Sequence, residues 1–436
     1  MEKSLDQWLA YQLKTHPQAI AMGLERVREV ARRLGLSKPG KYVITVGGTN
    51  GKGSTVAFIE AMARAGGLRV GAFTSPHLRR YNERVRVDGL EVGDAALIAA
   101  FERIETARAS SAPSPGADRI SNDEIPLTYF EFGTLAALLI FEQSRLDLAI
   151  LEVGLGGKLD AVNIVDPDVA VITTVDIDHQ EYLGRDRESI GADKAGIFRA
   201  GKPCVLGERD PPSSVLRRAY EIGAFAIRAH ADYLIDVHES EWTWREPGFE
   251  IDLPLPSLAA PAQIENAAAA IAALRALPIH LKRGALVTGI RDARVAGRLQ
   301  VLAQSPEVVV DVAHNVQAAR QLAEWLKAHP KPTRAVFSAL ADKDVEGIVA
   351  VLEPFIDRWY LGGIGDAGPR GMTGLALAER LRPLLAPEPP AVLDSVPEAL
   401  KLARSEAAAD ERVLVFGSFH TVAEVLKADD RERDRL

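Results

Sequence analysis

Short apolar runs, many of them β-branched, alternate along this chain with longer stretches whose apolar positions recur at helical spacing. Residues 42–46 (YVITV) form the first run, and residues 70–74, 148–153 and 169–175 form the next clear ones, each closed by glycine or polar residues. Such runs are continuously apolar or β-branched over most of their length instead of apolar at every second position. That pattern fits strands covered on both faces, as in a parallel sheet flanked by helices. The helical stretches between them, beginning with residues 55–64, give a βαβ alternation and predict an α/β domain. An alanine-rich stretch at about 266–277 predicts a long helix. After Gly297 a second series begins, with strands expected at 308–312, 335–338, 359–361 and 413–416 and helices at 318–327 and 375–382. It predicts a smaller, nucleotide-fold-like domain, with the boundary near 293–297. Residues 110–123 are rich in Ser, Pro, Gly and Ala and predict a mobile loop.

At 436 residues the chain is long enough for two or three domains. Its 52 basic and 60 acidic residues give a formal charge of −8, which argues against a general nucleic-acid binder. Small anionic substrates remain compatible, because a site can be locally basic on an acidic protein. A single cysteine, Cys204, excludes an intramolecular disulfide and a cysteine metal cluster. No apolar run is long enough to cross a bilayer, and the first ten residues lack a signal-peptide core. A cytoplasmic enzyme, acting as a monomer without membrane or nucleic acid, is the expectation.

The most informative stretch is VITVGGTNGKGST, residues 43–55. A strand runs into glycines, then Lys52, then a helix. Glycines let the backbone curl so that successive N–H groups face one anion, and the helix start adds positive potential. Lys52 supplies a mobile charge for the outer phosphates, and Ser54 or Thr55 falls near a metal. The strict pattern G-x-x-x-x-G-K-[ST] fails, since Val46 stands where the first glycine belongs and Gly53 follows Lys52. The compressed form resembles the ATP loop of the Mur ligase superfamily, which joins carboxylates to amino groups.

Three strand ends carry candidate metal ligands: Ser75, Glu152, and the group Asp176, Asp178 and His179. Ligands of open α/β sheets gather at the carboxyl ends of strands. Magnesium prefers oxygen, so Glu152 and the Ser75 hydroxyl are natural donors, and chemistry alone favours Asp176 or Asp178 over His179. Each has a plain alternative. A Ser-Pro pair often only ends a strand, a lone histidine is usually structural, and Lys194 reads by default as a surface lysine.

GGTNGKGS, TSPHLRRYNERVRV, LTYFEFGTLAAL, ILEVGLGGKLDAVNIV, DHQEYLG, DRESIGADKAGIFR, GRLQ, DVAHN and FGSFHTVAEV, in order from Met22 to Val425, resemble the bifunctional dihydrofolate synthase/folylpolyglutamate synthase family. The resemblance implies an N-terminal P-loop ATPase domain with a mostly parallel central sheet at 1–293, carrying the pterin site. It also implies a smaller Rossmann-like, glutamate-ligase domain at 297–436, with the active site between them. It matches Thr49, Asn50, Gly51, Lys52, Gly53 and Ser54, with Asn266, Arg298 and Asp311, to ATP contacts. Ser75, Glu152 and His179 match magnesium ligands, which displaces the preference for the aspartates. Lys194 matches a lysine that relatives carry as a carbamate, and His314 lies in the D-x-A-H-N motif. Ala21, Met22, Gly23 and Leu24, Thr128, Tyr129, Phe130 and Glu131, and Leu159, Asp160 and Ala161 match segments that contact dihydropteroate. Relatives often carry Asp in place of Ala21 and Arg in place of Lys158.

The implied reaction uses ATP and Mg2+ to join L-glutamate to dihydropteroate and to the glutamate tail of folates through an acyl-phosphate. Residues 338–344 and Ser418, Phe419 and His420 are candidates for binding glutamate. A monofunctional folylpolyglutamate synthase, another Mur-type amide ligase and an ATP-hydrolysing module of a different class remain as alternatives.

Overall fold

A computed structural model describes residues 3–109, 124–385 and 389–433; the loop expected at 110–123 lies outside them. The chain forms two compact units. The first comprises Met1–Ser75, Tyr81–Pro256 and Glu265–Ala293, and the second Pro76–Arg80, Ser257–Ile264 and Arg294–Leu436. Among the described residues no helix is long and apolar enough to cross a membrane.

The first unit holds an eight-stranded sheet made of β1 (Tyr42–Gly47), β2 (Val70–Phe73), β3 (Val85–Val87), β4 (Leu90–Glu91), β5 (Leu148–Glu152), β6 (Val169–Ile172), β7 (Pro203–Leu206) and β8 (Phe225–Arg228). The order is β4-β3-β2-β5-β1-β6-β7-β8. The six strands from β2 to β8 in that order are mutually parallel, and at one edge β3 runs antiparallel to both β2 and β4. The strands β1, β2, β5 and β6 read from the sequence are therefore contiguous, and their carboxyl ends share one edge. Register fixes the levels: Val46 is opposite Glu152, and Gly47 opposite Ile172.

Helices cover the sheet because the strands have no polar face. Helix Tyr129–Ser144 is almost wholly buried from Glu131 to Phe141, and its Phe132, Leu135 and Leu139 join Phe73, Leu151 and Ile172 in one core. The helix expected at 55–64 spans Lys52–Ala65, so it starts inside the glycine loop. The alanine-rich helix spans Ala262–Arg275.

A three-stranded antiparallel sheet, β9 (Leu234–Val237), β10 (Glu241–Glu246) and β11 (Phe249–Pro254), was not expected. It buries Trp242 and Trp244 completely, and the Trp244 indole N–H donates to the Ala268 carbonyl at 3.2 Å.

The second unit carries β12 (Gln300–Gln304), β13 (Glu307–Val310), β14 (Thr333–Phe337), β15 (Arg358–Gly362), β16 (Ala391–Leu393) and β17 (Arg412–Phe416) in the order β12-β13-β17-β14-β15-β16. All pairs are parallel except β12 with β13. Val309, Phe337 and Leu414 face one core, and Val308, Val310, Val336, Val413 and Val415 face another. Two covered faces explain why these strands read as unbroken apolar runs.

Candidate active site

The glycine loop is shaped by positions where a side chain has no room. Gly48 and Gly51 have φ of 144° and 87°, values that L side chains rarely adopt. A Cβ on Gly48 would run into the Thr173 hydroxyl, and one on Gly51 into the Asn266 side-chain oxygen. Asn266 is thereby placed against the loop.

The extension of β6 braces the other side. The Thr49 N–H donates to the Thr174 carbonyl at 2.7 Å, and the Thr173 hydroxyl donates to the Asn50 carbonyl at 2.6 Å. The Asn50 N–H donates to the Thr174 hydroxyl at 3.1 Å. The Thr49 hydroxyl accepts the Asp176 N–H at 3.0 Å and donates to the Asp176 carbonyl at 3.1 Å. Thr173 and Thr174 escaped sequence reasoning. Their signal was a pair of threonines at the end of a buried strand, one register step from the glycines.

Two lysines converge on this loop. Lys52 Nζ donates to the carbonyls of Gly48 and Thr49 at 2.9 and 3.1 Å, and Lys194 Nζ donates to the same Gly48 carbonyl at 3.0 Å. Lys194 is 4% exposed, which corrects its default reading as a surface lysine. Burial, and then the nearby charge of Lys52, bring its amine down to about 7. Gly157 makes the approach possible, since a Cβ there would stand 2.8 Å from the Lys194 carbonyl oxygen.

Glu152 ends β5 with its carboxylate buried at 4% exposure. It accepts the Ser75 N–H at 3.2 Å, and a Cβ on Gly53 would lie 3.8 Å from it. Ser75, Glu152 and the first turn of the loop helix are thus brought together. His179 lies three residues beyond Asp176, in the left-handed region at φ 51°, and its N–H donates to Asp178 Oδ1 at 2.8 Å. A non-glycine residue held there stores strain, as functional sites often do. No group of three or more His, Cys, Asp and Glu among the described residues could hold a metal ion. A buried carboxylate beside Ser75 and the glycine loop nevertheless fits magnesium, which takes few protein ligands and completes its shell with phosphate oxygens and water.

The three segments expected from the resemblance to border a pterin also come together. The Gly23 N–H donates to the Leu159 carbonyl at 3.4 Å. Arg26 Nη2 donates to the Ala21 carbonyl at 2.9 Å and pairs with Glu131 at 3.0 Å. Thr128 and Glu131 form a reciprocal cap on the helix that follows. Phe130 packs against Gly154, where a Cβ would stand 2.6 Å from the ring. The Tyr129 ring meets Tyr81 edge-on at 5.6 Å, and the Arg84 guanidinium lies 5.4 Å from both rings. Asp160 is a brace: its carboxylate accepts the N–H groups of Gly154, Leu155 and Val162 at 2.9 to 3.0 Å. Arg26 is the residue missed here.

Arg298, Asp311 and His314 belong to the second unit. Asp311 is buried and accepts the N–H groups of Leu299 and Ala313, both at 2.8 Å. Burial raises its carboxyl pKa, against the opposing charge of Arg298. The Arg298 guanidinium lies 5.6 Å from the Phe419 ring centre, and the His314 ring 5.9 Å from it. Asn315 caps helix Val316–Ala328.

A cleft of 510 Å³ opens elsewhere, at the amino ends of the strands, between Arg28, Lys38, Ile164 and Lys202. Its Asp168 is already paired with Lys38 and Lys202 and accepts the Val43 N–H. It lies away from the loop chemistry.

Residues 112–274 match the Mur ligase middle domain, and residues 297–419 the Mur ligase glutamate ligase domain. The chain is 45% identical to the dihydrofolate synthase/folylpolyglutamate synthase of Escherichia coli K12, over 98% of this chain and 96% of that one. It is 30% identical to the Bacillus subtilis protein of the same name, over 96% and 97%. Among solved structures it resembles E. coli FolC in complex with DHPP and ADP, with a TM-score of 0.90, 44% identity and 99% of both chains covered. It also resembles a bifunctional folylpolyglutamate synthase/dihydrofolate synthase with Mn, AMPPNP and L-glutamate bound, with a TM-score of 0.87, 43% identity and 98% of both chains covered. An α/β architecture, a braced glycine loop with two converging lysines, and near full-length similarity lead to one conclusion: the chain belongs to the dihydrofolate synthase/folylpolyglutamate synthase family of Mur-type ligases.

Proposed function

We propose that this protein is an ATP-dependent acid–amino-acid ligase. It attaches L-glutamate to dihydropteroate, giving dihydrofolate, and to the glutamate tail of folates, in both cases through an acyl-phosphate. The observation that carries this reading is the convergence of Lys52 and Lys194 on the Gly48 carbonyl, in a loop whose Gly53 faces the buried Glu152 carboxylate. In this reading residues 1–293 bind ATP and the pterin, and residues 297–436 serve the glutamate ligation. The enzyme acts in the cytoplasm as a monomer on small molecules, without nucleic acid or membrane.

A carboxylate is a poor electrophile because oxide does not leave. One carboxylate oxygen of the pterin substrate attacks the γ-phosphorus of ATP, and the bond to ADP breaks. The glutamate amine then attacks the acyl carbon, phosphate leaves, and an amide remains after loss of a proton. Thr49, Asn50, Gly51, Lys52, Gly53 and Ser54 hold the phosphates, with Lys52 and the loop N–H groups meeting charge on the transferring group. Asn266, Arg298 and Asp311 contribute to ATP binding, and His314 stands beside them in sequence as a catalytic candidate. Ser75, Glu152 and His179 would hold Mg2+, which when bound neutralises phosphate charge. Lys194, once carbamylated, presents an anion where the free amine presents a cation. Ala21 to Leu24, Thr128 to Glu131 and Leu159 to Ala161 border the pterin, with Asp160 holding its loop in place. Keeping acid, phosphate and amine in one site supplies the entropic advantage of proximity.

The test offers the purified protein dihydropteroate and, separately, tetrahydrofolate, with ATP, magnesium and glutamate, and weighs the products by mass spectrometry. Expected are glutamate adducts of both, with ADP released in step. Lys52→Ala should lose about a thousandfold in turnover while keeping its circular dichroism spectrum. Near-normal turnover in that variant rejects the assignment.

A further inference from the structure

Both backbone polar groups of Val175 are taken by one ion pair. The Val175 N–H donates to Glu208 Oε1 at 3.0 Å, and Arg187 Nε donates to the Val175 carbonyl at 2.8 Å. Arg187 Nη2 closes the arrangement on Glu208 Oε2 at 3.1 Å and reaches the Asp210 carbonyl at 2.9 Å. Val175 itself is fully buried. Unpaired buried backbone groups are costly, so this pair determines where residue 175 sits.

That position matters because of its neighbours. Thr174 and Asp176, on either side, are the residues that hold Thr49 and Asn50 of the glycine loop. His179 lies four residues further on. Arg187 opens the helix Arg187–Lys194, whose last residue reaches Gly48. Glu208 lies two residues beyond the end of β7. One pair therefore ties together the brace of the glycine loop, the segment carrying His179, and the helix carrying Lys194. The hydrogen bonds of both side chains go to Val175, to Asp210 and to each other, one step removed from the loop.

We infer that Arg187 and Glu208 are positioning residues for the nucleotide and metal half of the site, fixing the 173–179 segment at the height the glycine loop requires. This rests on the proposed reading of that loop as the ATP site. The pterin segments at 21–24, 128–131 and 159–161 make none of these bonds, so the pair should govern one substrate and not the other.

The experiment compares the full-length wild type with Arg187→Met, Arg187→Lys and Glu208→Gln. It measures the Kd for Mn2+ with AMPPNP by electron paramagnetic resonance, the Kd for dihydropteroate by fluorescence, and the melting temperature. Arg187→Met should weaken Mn2+·AMPPNP binding by about tenfold, the usual scale for a residue that orients metal ligands from behind. Dihydropteroate binding should stay within about twofold, on the same principle that the effect is local. Arg187→Lys keeps the charge and should recover part of the loss, and Glu208→Gln, which keeps an acceptor for Val175, should fall between. Unchanged Mn2+·AMPPNP affinity in Arg187→Met and Glu208→Gln overturns the inference. So does an equal loss of both ligands, which marks general destabilisation. Should Arg187→Met fail to fold, Arg187→Lys and Glu208→Gln decide by the same two affinities. A wild type that binds dihydropteroate but not Mn2+·AMPPNP overturns the reading of the loop, and this inference with it.

Discussion

Lys194 carries the sharpest consequence at the scale of single residues. Its amine is brought down to about 7 from an ordinary value of 10.5, by burial first and the charge of Lys52 second. Below about pH 7 both folded and unfolded chains hold the proton, and the fold bears the full cost of a buried cation. As pH rises from there toward 10.5 the unfolded chain holds more protons than the folded one, so stability increases. Lys194→Met removes this dependence. Its melting temperature should exceed that of the wild type most at about pH 6, with the gap narrowing by about pH 9. Only the neutral amine attacks carbon dioxide, so carbamate formation should grow over the same interval, read by carbon-13 NMR with labelled bicarbonate. A gap that does not change with pH would refute the buried-cation argument. The sequence made the loop glycines and Lys52 legible because their types are dictated by backbone and charge. It hid Thr173, Thr174 and Arg26, because a side chain that braces a neighbouring segment resembles any other polar residue at a strand or helix end.

Helix Tyr129–Ser144 shows how an element can serve fold and site together. Its cap is reciprocal: Glu131 accepts the Thr128 N–H at 2.7 Å, and Thr128 accepts the Glu131 N–H at 3.2 Å. Glu131 also receives Arg26, which holds Ala21. Glu131→Ala should cost about 2 kcal/mol in chemical denaturation, from the lost cap and the unpartnered Thr128 N–H. Glu131→Gln keeps the cap and should cost about half of that. Both should weaken dihydropteroate binding more than nucleotide binding, measured by titration; equal effects would separate the cap from the pterin segments. Elements buried on two faces were the legible ones, because an unbroken β-branched run suits little besides a strand with helices on both sides. The meander β9–β11 was missed because Trp242 and Trp244 alternate with Thr243 and charged residues over only six positions. A period of two over so short a span does not stand out from a turn-rich connection.

On the scale of the whole molecule, the second unit is not one stretch of chain. Leu78, from Pro76–Arg80, is 5% exposed and joins Val308, Val310, Val312 and Val422 in that unit's core. A Cβ on Gly297 would lie 3.1 Å from both Leu78 and Val422. Arg79 pairs with Asp430 at 3.2 Å. No periodicity in the sequence announces this, since five residues following a strand carry no pattern of their own. Leu78→Ala should destabilise the second unit by about 3 kcal/mol, the usual range for emptying a buried leucine site. Hydrogen exchange should localise the loss to β13 and β17; uniform loss across β1 and β5 would contradict it. Anyone cutting and splicing such genes inherits the result. A fragment beginning at residue 294 leaves behind a peg made more than two hundred positions earlier, and arrives at its new host with the matching hole open to water.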